Sequence, residues 1–299
     1  MSTHDNPDLA SHAGAGTGLS RRNLLTAAAT AAPAALLMGA ASGEAAAAQP
    51  RQANGKSAEN KVVAITGGGS GIGRATAILL AARGARVVLG GRREDQLATV
   101  VSEIEAAGGQ ALSLATDVTR RADVQALVDL ACERYGRLDV LVNCAGIGPI
   151  SRLDALHVDD WDAMIDVNFR GVLHGIAAAL PVFQQQRDGH IVNIVSTAGI
   201  AITPTMGVYA ATKNAVRTVT EALRQEAGAD LRVTEVSPGM IATDFITSIA
   251  DEAARAPIKA AVDAIAIPPD AIARAVAFAV EQPREVDVNS IVVRPTAQS

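Results

Sequence analysis

Tyr209 and Lys213 stand four residues apart, so a helix beginning near Tyr209 carries the phenol and the ammonium on one face, within reach of a shared ligand. A phenol with a pKa of about 10 is a poor base at neutral pH, and a neighbouring cation favours its ionised form. Lys213 is the candidate for that cation. Ser196 lies ahead of Tyr209, directly after the apolar run His-Ile-Val-Asn-Ile-Val that begins at His190. That run predicts a buried strand delivering the Ser196 hydroxyl toward the same point, where it would hydrogen-bond a substrate oxygen. Residues 196 to 213 thus hold a candidate proton-transfer centre. Tyr-x-x-x-Lys alone suits a solvated helix face equally well, so its meaning depends on its setting.

That setting contains a second candidate site. Lys61-Val-Val-Ala-Ile-Thr66 is a short β-branched run, followed by Gly67-Gly68-Gly69-Ser70-Gly71-Ile72-Gly73 and a helical stretch to Arg83. Strand, glycine turn and helix in this order let the main chain approach a pyrophosphate, which then meets the unpaired N–H groups at the helix start. A second strand at 85–90 completes a βαβ unit. An acid at its end would bind the ribose of NAD, and an arginine there accommodates the additional phosphate of NADP. The chain has Gly91, Arg92 and Arg93 there, so NADP(H) is expected over NAD(H), with Glu94 the competing acid one step into the next helix.

Alternation continues. A strand over 110–118 ends in Asp117 and Val118, a helix covers 124–135, and a strand from Leu138 opens onto Asn143-Cys144-Ala145-Gly146. Alternating strands and helices imply a parallel sheet covered on both faces, with ligand at the carboxyl ends of the strands. At 299 residues and 49% hydrophobic the chain can bury a large α/β core, and its net charge of -5 offers no footprint for nucleic acid. Cys132 and Cys144 fall in segments expected to be buried, without metal-ligand spacing, so neither a disulfide nor a metal site is expected. His157, His174 and His190 compete for an acid/base role, but helix surface or strand start explains each; Trp161 and Tyr135 are expected in packing roles.

The first residues differ in kind. Ser20-Arg21-Arg22-Asn23-Leu24-Leu25 leads into an alanine-rich apolar run, and Ala45 to Ala48 suit cleavage between small residues. The layout resembles a twin-arginine signal peptide, with Leu24 where phenylalanine is usual. The domain reading is therefore a signal over 1–48, a linker over 49–60 and a folded domain over 61–299, with no lasting membrane span. The signal implies export, to a periplasm, by the twin-arginine machinery, with a cytoplasmic location as the alternative.

From residue 60 onward the chain resembles the short-chain dehydrogenase/reductase family. Thr66-Gly-x-x-x-Gly71-x-Gly73 matches its cofactor loop, and Asn143-Cys144-Ala145-Gly146 matches its Asn-Asn-Ala-Gly with Cys144 in place of an asparagine. Asn168, Ser196, Tyr209 and Lys213 match its catalytic tetrad; Ser237-Pro238-Gly239 with Thr243 matches the segment at the nicotinamide end. The resemblance implies a single Rossmann domain with a seven-stranded parallel sheet in the order 3-2-1-4-5-6-7. It also implies a homodimer or homotetramer packed through long helices near 160–186 and 207–228, and an adenine contact at Asp117 and Val118. The implied activity is hydride transfer between NADP(H) and a carbonyl or secondary alcohol. In it Tyr209 is acid or base, Ser196 holds the oxygen, Lys213 binds the nicotinamide ribose and lowers the tyrosine pKa, and Asn168 holds a water. The final segment from Val288 to Gln298 resembles the ending of a subgroup containing 3-hydroxy acid and serine dehydrogenases.

The substrate is expected between residues 147–155, 198–206 and 240–267, against Ile147, Ile150, Ile200, Met206, Met240, Ile241 and Phe245. Such a lining suits a small or medium apolar compound. Two other function classes are less favoured: a nucleotide-binding sensor or scaffold on the same fold, which would need neither Tyr209 nor Ser196, and an epimerase or dehydratase of the family's longer branch, whose glycine spacing differs from Thr66-Gly-x-x-x-Gly71-x-Gly73.

Overall fold

The computed structural model of the chain describes residues 58–249 and 252–298, with residues 252–254 described by backbone alone. The expected signal, residues 1–48, and residues 49–57 of the expected linker lie outside the described residues. Ala58 to Asn60 belong to the folded unit instead of the linker. Ala58 is fully buried, its N–H donates to Arg83 O at 3.2 Å, and Asn60 N–H donates to Gly84 O at 3.1 Å.

Strands β1 (Val62–Thr66), β2 (Arg86–Gly91), β3 (Gln110–Ala115), β4 (Val140–Asn143), β5 (His190–Ile194), β6 (Arg232–Pro238) and β7 (Ser290–Val293) form one parallel sheet, ordered β3-β2-β1-β4-β5-β6-β7. The predicted architecture and strand order are thus observed. Helices α1 (Gly71–Ala82), α2 (Glu94–Ala106) and α8 (Asp270–Val280) cover one face; α3 (Arg121–Tyr135), α5 (Gly171–Gln186) and α6 (Gly207–Glu226) cover the other. Helix α4 (Val158–Met164) precedes α5, and α7 (Glu252–Ile265) precedes α8.

The sheet is parallel because each strand can bury both faces. In β1, Val63 and Ile65 pack with Leu80, Leu97 and Ile272, while Val62 and Ala64 pack with Leu127, Val128 and Phe183. This is the two-residue alternation of a strand applied to a run that is apolar throughout. Helix α3 stops at Gly136, which takes φ 77° and donates its N–H to Cys132 O.

Register aligns the strand ends that carry the site. Thr66 pairs with Asn143, Asn143 with Asn193 and Ile194 with Val236, so the segments following β1, β4, β5 and β6 emerge along one edge. The helix expected over 160–186 is interrupted: Ile165–Arg170 forms a π turn between α4 and α5, and Asn168 lies in it. Such turns insert a residue into the helical ladder and shift the side chains that follow.

Candidate active site

The glycine turn after β1 is held open by geometry that side chains would block. Gly67 has φ +70°, and a Cβ on Gly73 would lie 2.2 Å from Gly67 O. Ser70 caps α1 without a side-chain hydrogen bond, leaving the first N–H groups of the helix for an anion. Beside the turn a cavity is lined by Ser70, Arg92, Arg93, Asp117, Val118 and Gly146. Arg93 Nη2 donates to Ser70 Oγ at 3.1 Å, which places the guanidinium at the rim of this cavity. Burial raises the Asp117 pKa, but hydrogen bonds from the Thr119 N–H and hydroxyl, with Arg92 and Arg120 nearby, hold it below the usual carboxylate value. These residues fit the adenosine end of a dinucleotide.

Two residues expected at the cofactor act differently. Thr66 is buried, and its Oγ1 accepts the N–H groups of Cys144 at 3.0 Å and Ala145 at 3.2 Å. Asn143 Nδ2 donates to Asn193 Oδ1 at 2.9 Å, and Asn193 Nδ2 donates to Thr220 Oγ1 at 2.8 Å. Both side chains tie strand ends and helices together instead of lining the cavity. Ala145, Gly146 and Val118 do line it, while Ile72, Pro238, Gly239 and Thr243 line the adjoining cavity.

That adjoining cavity, about 310 Å³ in volume, contains Ser196, Tyr209 and Lys213 on its wall. Ser196 leaves the end of β5 and its Oγ accepts the Ala198 N–H at 3.1 Å. Tyr209 lies in the first turn of α6, buried, with the Phe245 ring edge-on at 5.3 Å between centroids. Lys213, one turn on, is buried too; its Nζ donates to Ile194 O at 3.0 Å and lies 5.9 Å from the tyrosine ring centroid. Asn168 is fully buried, with Oδ1 accepting the Ile147 N–H at 2.8 Å and Nδ2 donating to Ile147 O at 2.9 Å. Gly146 separates Asn168 from Lys213: a Cβ there would lie 3.4 Å from Asn168 Oδ1 and 3.5 Å from Lys213 Nζ. The four residues expected from sequence are brought to one end of the sheet.

Their electrostatics depart from expectation. Burial pushes the Tyr209 phenol up to about 12, with a hydrogen bond from Ser196 acting in the opposite sense, and the predicted lowering by Lys213 is not among the causes. The same burial brings Lys213 down to about 8. In each case desolvation disfavours the charged form. His190 is buried and its pKa falls well below the ordinary histidine value, through desolvation and then the charges of Arg232 and Lys61; its Nε2 bonds Thr234 Oγ1 at 2.8 Å. His174 Nδ1 bonds Val118 O at 2.8 Å, and His157 lies beside Asp160 on the surface, so none of the described histidines enters the site.

The apolar lining also needs correction. Met206, Met240, Ile241 and Phe245 face the cavity as expected. Ile200 is 43% exposed and absent from the wall, because the one-turn helix at Thr197–Gly199 rotates it outward. Ile147 faces the cofactor cavity, and Ile150 packs under the site with Met164. Sequence reasoning missed Cys144, Arg294 and Gln298, which line the reaction cavity. The first was read only as a turn residue, and the other two lie far along the chain with no local pattern to mark them.

The family model described as short chain dehydrogenase matches residues 61–254. An uncharacterized oxidoreductase of Listeria monocytogenes is 46% identical over 243 residues, covering 80% of this chain and 98% of the relative. Among solved structures, an alcohol dehydrogenase from the archaeon Thermococcus sibiricus complexed with 5-hydroxy-NADP superposes with TM-score 0.72 at 30% identity, covering 81% of this chain and 99% of the other. A short-chain dehydrogenase/reductase from Burkholderia phymatum in complex with NAD gives TM-score 0.73 at 32% identity, covering 78% and 89%.

Proposed function

The chain belongs to the short-chain dehydrogenase/reductase family and is an NAD(P)-dependent oxidoreductase, and from that premise we propose that it uses NADP(H) to interconvert a carbonyl compound and a secondary alcohol. The observation that carries this reading is the meeting of the buried Tyr209 and Lys213 with Ser196 on the wall of one largely apolar cavity. Arg92 and Arg93 at the rim of the cofactor cavity, with no acid at the end of β2, support NADP(H).

When bound, the nicotinamide supplies or accepts the hydride. Ser196 accepts the Ala198 N–H and its hydroxyl hydrogen-bonds Tyr209, so its proton already points to the place where a substrate oxygen would receive it. Tyr209, protonated at neutral pH, is ready to give a proton to that oxygen as a carbonyl is reduced. In the reverse direction it must lose its proton, which a charged Lys213 favours. Asn168 braces the turn after β4 through Ile147, beside Lys213, where it would hold a water that resupplies protons.

Oxidation of NADPH and of NADH, followed against ketones, aldehydes and hydroxy acids, tests the reading. NADPH is expected to be consumed faster than NADH. Tyr209→Phe is expected to lower turnover by about 10²- to 10⁴-fold with NADPH binding intact. Retained turnover in Tyr209→Phe would refute the assignment, and tight NADPH binding without oxidation of any substrate would point to a sensor.

A further inference from the structure

One acidic side chain is buried where the chemistry above gives it no task. Glu235 lies in β6, a strand buried along its whole length, and its side chain is 8% exposed. It points to α6, where Arg217 Nε donates to its Oε1 at 3.1 Å and to its Oε2 at 3.2 Å. Ser237, two residues on and therefore on the same side of the strand, donates its Oγ–H to Glu235 Oε1 at 2.7 Å. A buried ion pair offsets its own desolvation only in part, so stability alone is a weak reason for it.

The pair connects the two chain segments that enclose the reaction. On one side Arg217 Nη1 donates to Gly199 O at 3.4 Å, and Asn214 Nδ2 donates to the same oxygen at 3.0 Å. Gly199 closes the turn that Ser196 opens, its N–H donating to Ser196 O at 3.0 Å. The turn rests directly on α6, since a Cβ on Gly199 would lie 3.1 Å from Lys213 C and 3.2 Å from Asn214 N. On the other side Ser237 leads into Pro238 and Gly239, which line the reaction cavity together with Ser196. One carboxylate thus ties the turn of Ser196, through Arg217, to the segment after β6. Neither Arg217 nor Glu235 is among the described residues lining that cavity.

We propose that Arg217 and Glu235 are positioning residues, which hold the Ser196 hydroxyl in place relative to Tyr209 and the Ser237-Pro238-Gly239 segment. This rests on the oxidoreductase reading given above. The fork suits arginine: Nε serves the carboxylate while Nη1 serves the Gly199 carbonyl, a division that a lysine ammonium on its flexible stem does not reproduce. Without the brace Ser196 stays attached to β5 but its turn can shift, and a displacement of about 1 Å at a reacting group costs about 10²-fold in rate.

The test uses the full chain with NADPH and three carbonyl probes, butane-2,3-dione, cyclohexanone and benzaldehyde. Arg217→Met is expected to lower kcat by about 10- to 100-fold, with KM and the NADPH dissociation constant within about threefold of the wild type. Arg217→Lys keeps a positive charge beside Glu235, so it should keep the unfolding midpoint while recovering only part of kcat. Should Arg217→Met fail to fold, Glu235→Gln retains the shape and the acceptor for Ser237 and weakens only the hold on Arg217; kcat should then fall by about 3- to 10-fold. The deciding measurement is made in Ser196→Ala, where either replacement should cost less than about twofold, because the group being positioned is gone. The same loss with and without Ser196 would overturn the proposal. So would an unchanged kcat in both variants, a loss carried by KM or by NADPH binding, or full recovery of kcat by Arg217→Lys. Each of those results leaves the oxidoreductase reading in place, whereas a wild type that oxidises NADPH with none of the three probes would remove both.

Discussion

Lys213 carries its charge in a place that works against it. The ammonium is buried with Ile194 O as its hydrogen-bond partner, and its pKa is brought down from 10.5 to about 8 by desolvation. An unfolded lysine keeps its proton up to about 10.4, so between that value and about 8 the unfolded chain binds more protons and stability of the cofactor-free protein rises with pH. Below 8 the residue is charged in both states and the full penalty for burying it is present. Lys213→Met removes the charge at every pH. The variant is expected to be more stable than the wild type at pH 7, by up to about 3 kcal/mol, and the gain should shrink as pH climbs through 8 toward 10. Urea unfolding of both proteins at pH 7 and at pH 10 measures this, and a variant less stable at pH 7 would mean that the bond to Ile194 outweighs burial. Catalysis should be lost in the same variant, which sets stability against activity at a single side chain.

Gly175 puts helix propensity and packing in opposition at the level of elements. It sits in the middle of α5, where alanine would favour the helix by about 1 kcal/mol. A Cβ there, however, would lie 2.2 Å from Asn143 Oδ1, and Asn143 is tied to Asn193 across β4 and β5. Overpacking of a fixed core group costs about 1–3 kcal/mol, so Gly175→Ala should lower stability by about 1 kcal/mol despite the better helix. A denaturant midpoint that stays or rises would show that α5 can move away from the sheet. The same contact shows what sequence makes legible. Strands β1, β2, β4 and β5 were readable because each is centred on a short run rich in Val, Ile and Leu, and α1 because a glycine turn introduces it. The roles of Thr66 and Asn143 were not, since motif position marks a residue without saying which neighbour its side chain bonds. The π turn at Asn168 and the outward direction of Ile200 were equally hidden, because they depend on how packed elements divide the space. Arg294 and Gln298 reach the cavity only through the β6–β7 pairing and a turn of the tail.

The molecule as a whole joins two requirements that look incompatible: a cofactor regenerated in the cytoplasm and a leader that resembles an export signal. The twin-arginine resemblance implies transport of proteins already folded, often with cofactor bound, and this chain is suited to it. All seven strands lie in one sheet with apolar residues covered on both faces, so no part of the described fold waits for another compartment to complete it. No helix among the described residues is long and apolar enough to cross a membrane. We therefore propose that the domain folds around its cofactor in the cytoplasm and is exported as a loaded enzyme, guided by Arg21 and Arg22. Cells expressing the full-length chain should then hold the protein, with nucleotide bound, in the exported fraction, and replacement of Arg21 and Arg22 by lysines should retain it inside. An even distribution unaffected by the lysine replacements would instead assign the leader no export role. Exported protein free of nucleotide would mean that the cofactor is acquired, or lost, on the far side. The distinction matters for the chemistry, because an enzyme that cannot exchange its cofactor must regenerate it in place, by coupling oxidation of one substrate to reduction of another at the same Tyr209.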